Sequence, residues 1–247
     1  PSGSGKDEWV LQLAAQTSTP IQAFNLNSEG DLSGLITRTT LKKEGGVTVT
    51  KEESGALRRA CEGLKIHRSL ESLTPDGAKL SKDEVSDLIR EMKSHDWDVV
   101  ETPAAGVYQI TLPFLVLVSD ADRGNVEMLR QAIELGKEAL TDPVTGDQFP
   151  IKKGTRFVFT ANSGVDGDAN RGMVVKPSET SMMNRLSHIQ FPFPPPEVEK
   201  GIYQRRFPTV EVSVIEAVVQ CTTALRAVVR EEHLLLEISL RQGRSWI

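Results

Sequence analysis

The chain begins Pro1-Ser2-Gly3-Ser4-Gly5-Lys6-Asp7-Glu8, directly ahead of the amphipathic run Trp9-Val10-Leu11-Gln12-Leu13-Ala14-Ala15. Glycines let the backbone come close to a ligand. Amides at the head of a helix point outward, and a lysine adds a cation; together these bind phosphate. The phosphate-loop pattern is glycine, four free positions, then Gly-Lys-Ser/Thr. Counted back from Gly5-Lys6, its first glycine would fall just before Pro1. The strand that leads into such a loop is missing as well, so the chain is expected to be a piece of a longer protein. Residues Ser2 to Glu8 are the candidate phosphate contacts, and a Gly/Ser linker ahead of a helix is the plain alternative.

A second cluster follows the most apolar stretch, Leu112-Pro113-Phe114-Leu115-Val116-Leu117-Val118. A short, nearly unbroken apolar run fits a parallel strand buried on both faces. It leads into the acidic cluster Ser119-Asp120-Ala121-Asp122-Arg123-Gly124-Asn125. A third run, Arg156-Phe157-Val158-Phe159-Thr160-Ala161-Asn162, is another buried strand ending on a polar side chain. Strand C-terminal ends line the ligand crevice of an open parallel sheet. Phosphate loop, acidic cluster and Asn162 would therefore meet at one nucleotide.

The elements that must hold these groups follow from the pattern. Gly5 to Gln16 predicts a helix closed by Thr17-Ser18-Thr19-Pro20, and Ile21 to Leu26 a short strand. Thr37 to Thr50 predicts a hairpin around Glu44-Gly45-Gly46, and Glu52 to Glu62 a helix. Residues 63–106 read as an insertion with a turn at Thr74-Pro75-Asp76-Gly77. It carries a helix from Ser81 to His95, Ser81 and Glu84 forming a capping box. A helix is expected from Val126 to Leu135, a hairpin around Asp142 to Asp147, and a last strand over Ile189 to Phe193 before Pro194-Pro195-Pro196. Helices follow at Glu197–Arg206 and Val210–Arg230. Alternating strands and helices predict an α/β fold: a parallel sheet with helices on both faces. A domain boundary is expected near Pro194, giving an α/β domain over 1–193 and a helical domain over 194–247.

Acidic residues outnumber basic ones by 34 to 29, and the net charge of −5 disfavours, without excluding, a nucleic-acid partner. The two cysteines, Cys61 and Cys221, are far apart in sequence and are expected to be buried thiols in a reducing, cytoplasmic compartment. No apolar run nears the roughly 20 residues of a membrane span. His67, His95, His188 and His233 are scattered without ligand spacing.

The order of these motifs resembles the AAA+ ATPases, in particular the group of MoxR-type ATPases and the small ATPase subunit of cobaltochelatase. Ser119-Asp120-Ala121-Asp122-Arg123 resembles that group's Walker B segment, Asp-Glu-x-Asp/Asn-Arg. Asn162 falls at the sensor-1 position that orients the attacking water. Asn184-Arg185-Leu186 resembles the Asp/Asn-Arg-Phe segment whose arginine reaches a neighbouring subunit's γ-phosphate, and Ser239-Leu240-Arg241 the stretch carrying the sensor-2 arginine of the lid. The resemblance implies a P-loop AAA+ sheet with a C-terminal helical lid and binding of ATP with Mg2+. It assigns catalytic roles to Asp120, Asn162, Arg185 and Arg241. It also implies a homo-oligomer, expected to be a hexameric ring, acting on a client protein such as one with a metal-dependent adhesion (VWA) domain. A related GTP-dependent restriction branch carries a Met-Asn-x-x-Asp signature that is missing here, so ATP is the expected nucleotide.

Three departures qualify the resemblance. Asp7 stands where a hydroxyl should ligate Mg2+, Ser119 where an aspartate should hold the ion's shell, and Asp120 where a glutamate should polarise water. The first two are reciprocal, so Asp7, Ser119 and Asp120 would still offer the ion hard oxygens. The third shortens the carboxylate by one methylene, and slow hydrolysis with competent ATP binding is expected. A nucleotide-binding module without hydrolysis is the alternative, and a DNA-associated motor a further one. The plain readings are a solvated Lys6, a helix-capping Asp120 or Asp122, a strand-capping Asn162, and a surface-paired Arg185.

Overall fold

The computed structural model describes residues 5–25, 35–73, 79–104, 106–121, 133–134, 138–142, 144–161, 187, 189, 191–232 and 238–247. The chain divides into two compact units, Val10–Phe159, and Thr160–Ile247 together with Pro1–Trp9.

In the first unit, strands β1 (Ile21–Asn25), β7 (Leu115–Ser119) and β11 (Arg156–Phe159) form a parallel sheet in the order β1-β7-β11. The expectation of a mixed α/β fold with a parallel sheet holds. Alternation along β7 explains why helices cover both faces. Leu115 and Leu117 pack against Val10 and Ala14 of helix α1 (Lys6–Gln16), one turn apart. Val116 and Val118 pack on the other face with Phe24 and with Leu57, Ala60 and Cys61 of helix α2 (Ala56–Glu62). Four consecutive core residues at 8% exposure or less leave β7 no solvent face.

The expected single apolar strand starting at Leu112 is in fact two elements. Leu112 closes β6 (Val107–Leu112), an antiparallel strand, and β7 starts at Leu115. Pro113 has no N–H to donate and breaks the ladder. β6 lies between β4 (Leu64–Ser69) and β5 (Asp98–Glu101). Helix α3 (Lys82–Ser94) follows the 3-10 turn Leu70–Leu73, and its Met92 packs with Ile110 and Leu70 over this sheet. The segment expected to hold one helix therefore also holds strands. The capping box is as read: the Ser81 amide donates to Glu84 Oε2 at 2.8 Å, and the Glu84 amide donates to Ser81 Oγ at 3.3 Å.

β2 (Thr37–Glu44) and β3 (Val47–Ser54) form the expected hairpin across Gly45-Gly46, both glycines at positive φ. β3 runs on through Ser54, so α2 starts at Ala56 rather than at Glu52. Gly55 makes the change of direction because a Cβ there would strike the Leu35 carbonyl. β9 (Ala139–Thr141) and β10 (Gln148–Pro150) form the second expected hairpin. Asp142 is buried in its turn, accepting from the Val144 amide at 2.9 Å and Thr37 Oγ1 at 3.0 Å. Ile133–Glu134, expected to be helical, is strand β8 paired with β9; the rest of that expected helix lies outside the described residues.

The second unit carries α4 (Pro196–Arg206), α5 (Val212–Glu231) and α6 (Leu240–Ser245). Ile215 and Val219 of α5 pack with Tyr203 of α4. The expected strand at Ile189–Phe193 is absent among its described residues, where Pro192 and the prolines that follow supply no ladder donors. Phe191 instead packs on Trp9, ring centroids 5.5 Å apart. α5 also corrects the expectation about apolar runs. By length and composition alone it is long and apolar enough to cross a membrane, with a mean hydropathy of 1.5, although Arg226 within it is paired to a buried carboxylate. Cys221 on α5 is exposed, against expectation, and Cys61 is buried.

Two outcomes follow. Burial, reinforced by Glu62, pushes the Cys61 thiol up to about 12. Thiol labelling of the native chain at pH 8 should modify Cys221 fast and Cys61 only on unfolding; equal rates would contradict the packing of α2. The Ser81 hydrogen bonds hold the exposed Glu84 carboxyl below its ordinary 4.5. The cap's contribution is thus complete above that value and is lost as pH falls through the lowered one. Amide exchange at the start of α3 should rise in that acid window, and Glu84→Gln should remove the pH dependence.

Candidate functional site

The three parallel strands end at one edge of their sheet. Asn25, last in β1, lies opposite Ser119, last in β7. Phe159, last in β11, lies opposite Val118. The next residue after β7, Asp120, has φ 51, a left-handed conformation that non-glycine residues rarely adopt. It turns the chain sharply off the strand. Asn25 Nδ2 donates to Asp120 Oδ2 at 3.5 Å, the outer limit of a hydrogen bond. Ser119 and Asp120 are both half-buried. Two neighbouring strand ends thus present an amide, a hydroxyl and a carboxylate, a set that can bind a hydroxyl, a water or a cation.

The head of α1 belongs to the other unit. Gly5 has φ 88, so the backbone enters the helix through a conformation that glycine tolerates best. Asp7 and Glu8 lie in the first turn, where the helix dipole favours negative charge. The carboxylate of Asp7 accepts from Thr160 Oγ1 at 2.6 Å, and Thr160 is buried. Thr160 directly follows β11 in sequence. Lys6 is half-buried at the first helical position. Ser2, Gly3, Ser4, Asp122, Asn162 and Arg185 lie outside the described residues.

Arg241 occupies the first turn of α6 and is exposed. Ser239 caps that helix, accepting from the Gln242 amide at 3.3 Å while its own amide donates to Gln242 Oε1 at 2.7 Å. Behind α6 lies a carboxylate fully withdrawn from solvent, Glu199. Its Oε2 accepts from Arg226 Nη1 at 2.6 Å, and its Oε1 from Tyr203 Oη at 2.8 Å and Arg226 Nη2 at 3.2 Å. Thr222 Oγ1 stands 3.4 Å from the same Oε1. Burial, with Glu199 beside it, pushes the Tyr203 phenol well above its ordinary value, so it remains a donor.

Sequence reasoning named Lys6, Asp7, Ser119, Asp120 and Arg241 but missed Asn25, Thr160 and Glu199. Asn25 ends a strand just as Asn162 was expected to, and that signal was available. Glu199 and Tyr203 are one helical turn apart, but Arg226 lies 27 residues further on, and nothing local announces the pair. Among the described residues no group of three His, Cys, Asp or Glu side chains is placed to hold a metal ion. No family model matches the chain, and a search of curated proteins finds no significant match.

Thr160→Val should remove the bond to Asp7 and cost about 1 kcal/mol, since Asp7 is exposed and water replaces part of what is lost. Comparing chemical denaturation of this variant with that of Thr160→Ser, which keeps the hydroxyl, checks the assignment; equal losses from both would contradict it.

Proposed function

We propose that the chain is an ATP-binding protein of AAA+ type, an ATPase whose turnover is slow. The observation that carries this reading is the left-handed turn that sets Asp120 at the end of a strand buried on both faces, with Asn25 of the next strand bonded to it. A strained acidic residue at the carboxyl edge of a parallel sheet is where such folds handle ligands. The Gly-Ser-Gly-Lys run entering α1 supports the phosphate half of the same reading.

In this reading the amides around Gly5 and the Lys6 ammonium hold the β- and γ-phosphates. Asp120 accepts a proton from the attacking water, and Asn25 holds its carboxylate in place. One methylene shorter than glutamate, Asp120 reaches that water less well, and general-base geometry tolerates little error. Magnesium would arrive with the triphosphate. It needs one or two protein carboxylates rather than a preformed cage, and Asp7 or Asp120 supplies hard oxygens of that kind. Asn162 and Arg185 would complete the site, Arg185 from a neighbouring subunit, and Arg241 would contact phosphate from the lid, residues 194–247. Arg185 acting in trans requires a ring, which we take to be a hexamer in the cytoplasm that remodels a protein client through its hairpins and the 63–106 segment.

One observation favours a second reading, a nucleotide-binding module without hydrolysis. The Asp7 carboxylate, expected at the metal, is bonded to Thr160, and Ser119 offers no charge.

Equilibrium titration with ATP should give saturable binding, weakened about tenfold or more by Lys6→Ala through loss of a charge-assisted contact. Single-turnover hydrolysis on the assembled oligomer should be slow, and slower by roughly a hundredfold in Asp120→Asn. Binding without any hydrolysis selects the second reading. No binding, or Lys6→Ala binding as wild type, overturns both.

A further inference from the structure

The Glu199 carboxylate is fully buried, yet four hydrogen-bond donors surround it, so the group is held rather than stranded. Its two main partners each extend to the main chain beside α6. Arg226 Nε donates to the Ile238 carbonyl at 2.8 Å. Tyr203 Oη stands 3.1 Å from the Leu240 carbonyl. These carbonyls flank Ser239, the residue that caps α6. The guanidinium of Arg226 also stacks on the Phe193 ring, 4.3 Å from its centroid. Gly243, one turn along α6, is buried against Tyr203, and a Cβ there would strike the phenol oxygen. The entrance of α6 is therefore gripped on both sides of its cap by groups that one carboxylate organises, and its flank is seated on the same phenol. Arg241, the next residue after Leu240, projects from this entrance into solvent.

We propose that Tyr203 and Arg226, organised by Glu199, are positioning residues that fix the start of α6 and so determine how Arg241 is presented to the nucleotide phosphates. A merely structural ion pair would need only Glu199 and Arg226. What ties the pair to Arg241 is the further donor of Arg226, Nε on the Ile238 carbonyl, and the single Tyr203 hydroxyl hydrogen shared between Glu199 Oε1 and the Leu240 carbonyl. This inference rests on the nucleotide reading above.

A double-mutant cycle on the full chain tests it, with ATP titrated into wild type, Tyr203→Phe, Arg241→Ala and the combination. Arg241→Ala should weaken ATP binding about tenfold, and Tyr203→Phe, which keeps the ring and loses only the hydroxyl, about threefold to tenfold. The combination should be no weaker than Arg241→Ala alone, because the hydroxyl acts through that arginine. Gly243→Ala, which keeps every network side-chain type but forces α6 and the Tyr203 phenol apart, should show the same pattern. A general loss of stability would not produce an effect that vanishes when Arg241 is removed. If Tyr203→Phe binds ATP as wild type, or if the two losses multiply, the positioning role is overturned. If wild type binds ATP and Arg241→Ala binds it equally well, the nucleotide reading stands and this role falls. If wild type binds no ATP at millimolar concentration, both fall.

Discussion

A five-residue strand with no solvent-facing side carries the first unit. Odd and even side chains of β7 serve different helices, so a change on either face is felt by both layers. Packing at this density admits little adjustment, and truncating a fully buried leucine in such a place costs about 2–5 kcal/mol. The same rigidity has a functional side. A residue at the tip of a strand locked from both faces is held in a fixed position, and this scaffold offsets the roughly 1–3 kcal/mol that a left-handed conformation costs at Asp120.

The helical unit solves a different problem. Its core is small, and it encloses a charged pair, an arrangement whose desolvation cost often cancels its Coulombic gain. Glu199 escapes the penalty of an unpaired charge because both of its oxygens accept from Arg226 and one also accepts from Tyr203. Removing one partner alone would leave a buried charge and cost about 3–5 kcal/mol. Such a network specifies one arrangement of three helices, including the short α6, which could not hold its geometry by propensity alone.

Much of this was legible in the chain. The pattern of apolar residues gave α1, β1, β7 and β11, β-branched and turn residues gave both hairpins, and Ser81 with Glu84 announced the cap of α3. What was missed has physical causes. Proline decided two cases, splitting the Leu112 run and leaving the described residues of Ile189–Phe193 without a strand, where the hydrophobic pattern alone pointed the other way. Tertiary pairing decided others: β4, β5 and β6 are held by partners tens of residues away, and β8 overrides a helical pattern. For the candidate site, the strand tip at Ser119-Asp120 was readable from the apolar run before it. Thr160 was not, because its significance comes from Asp7, 153 residues distant. The expected exchange of metal ligands looks different for that reason: the Asp7 carboxylate already has a donor.

As proposed above, amides at the head of α1 bind a triphosphate, and Asp120 at the carboxyl tip of β7 activates the attacking water. Backbone amide resonances recorded as ATP is added address it residue by residue. The account predicts that Gly5, Lys6, Asp7 and Asp120 shift most and saturate together at one concentration. Shifts confined to other regions, or no shift at Lys6 and Asp120 under saturating ATP, would contradict it.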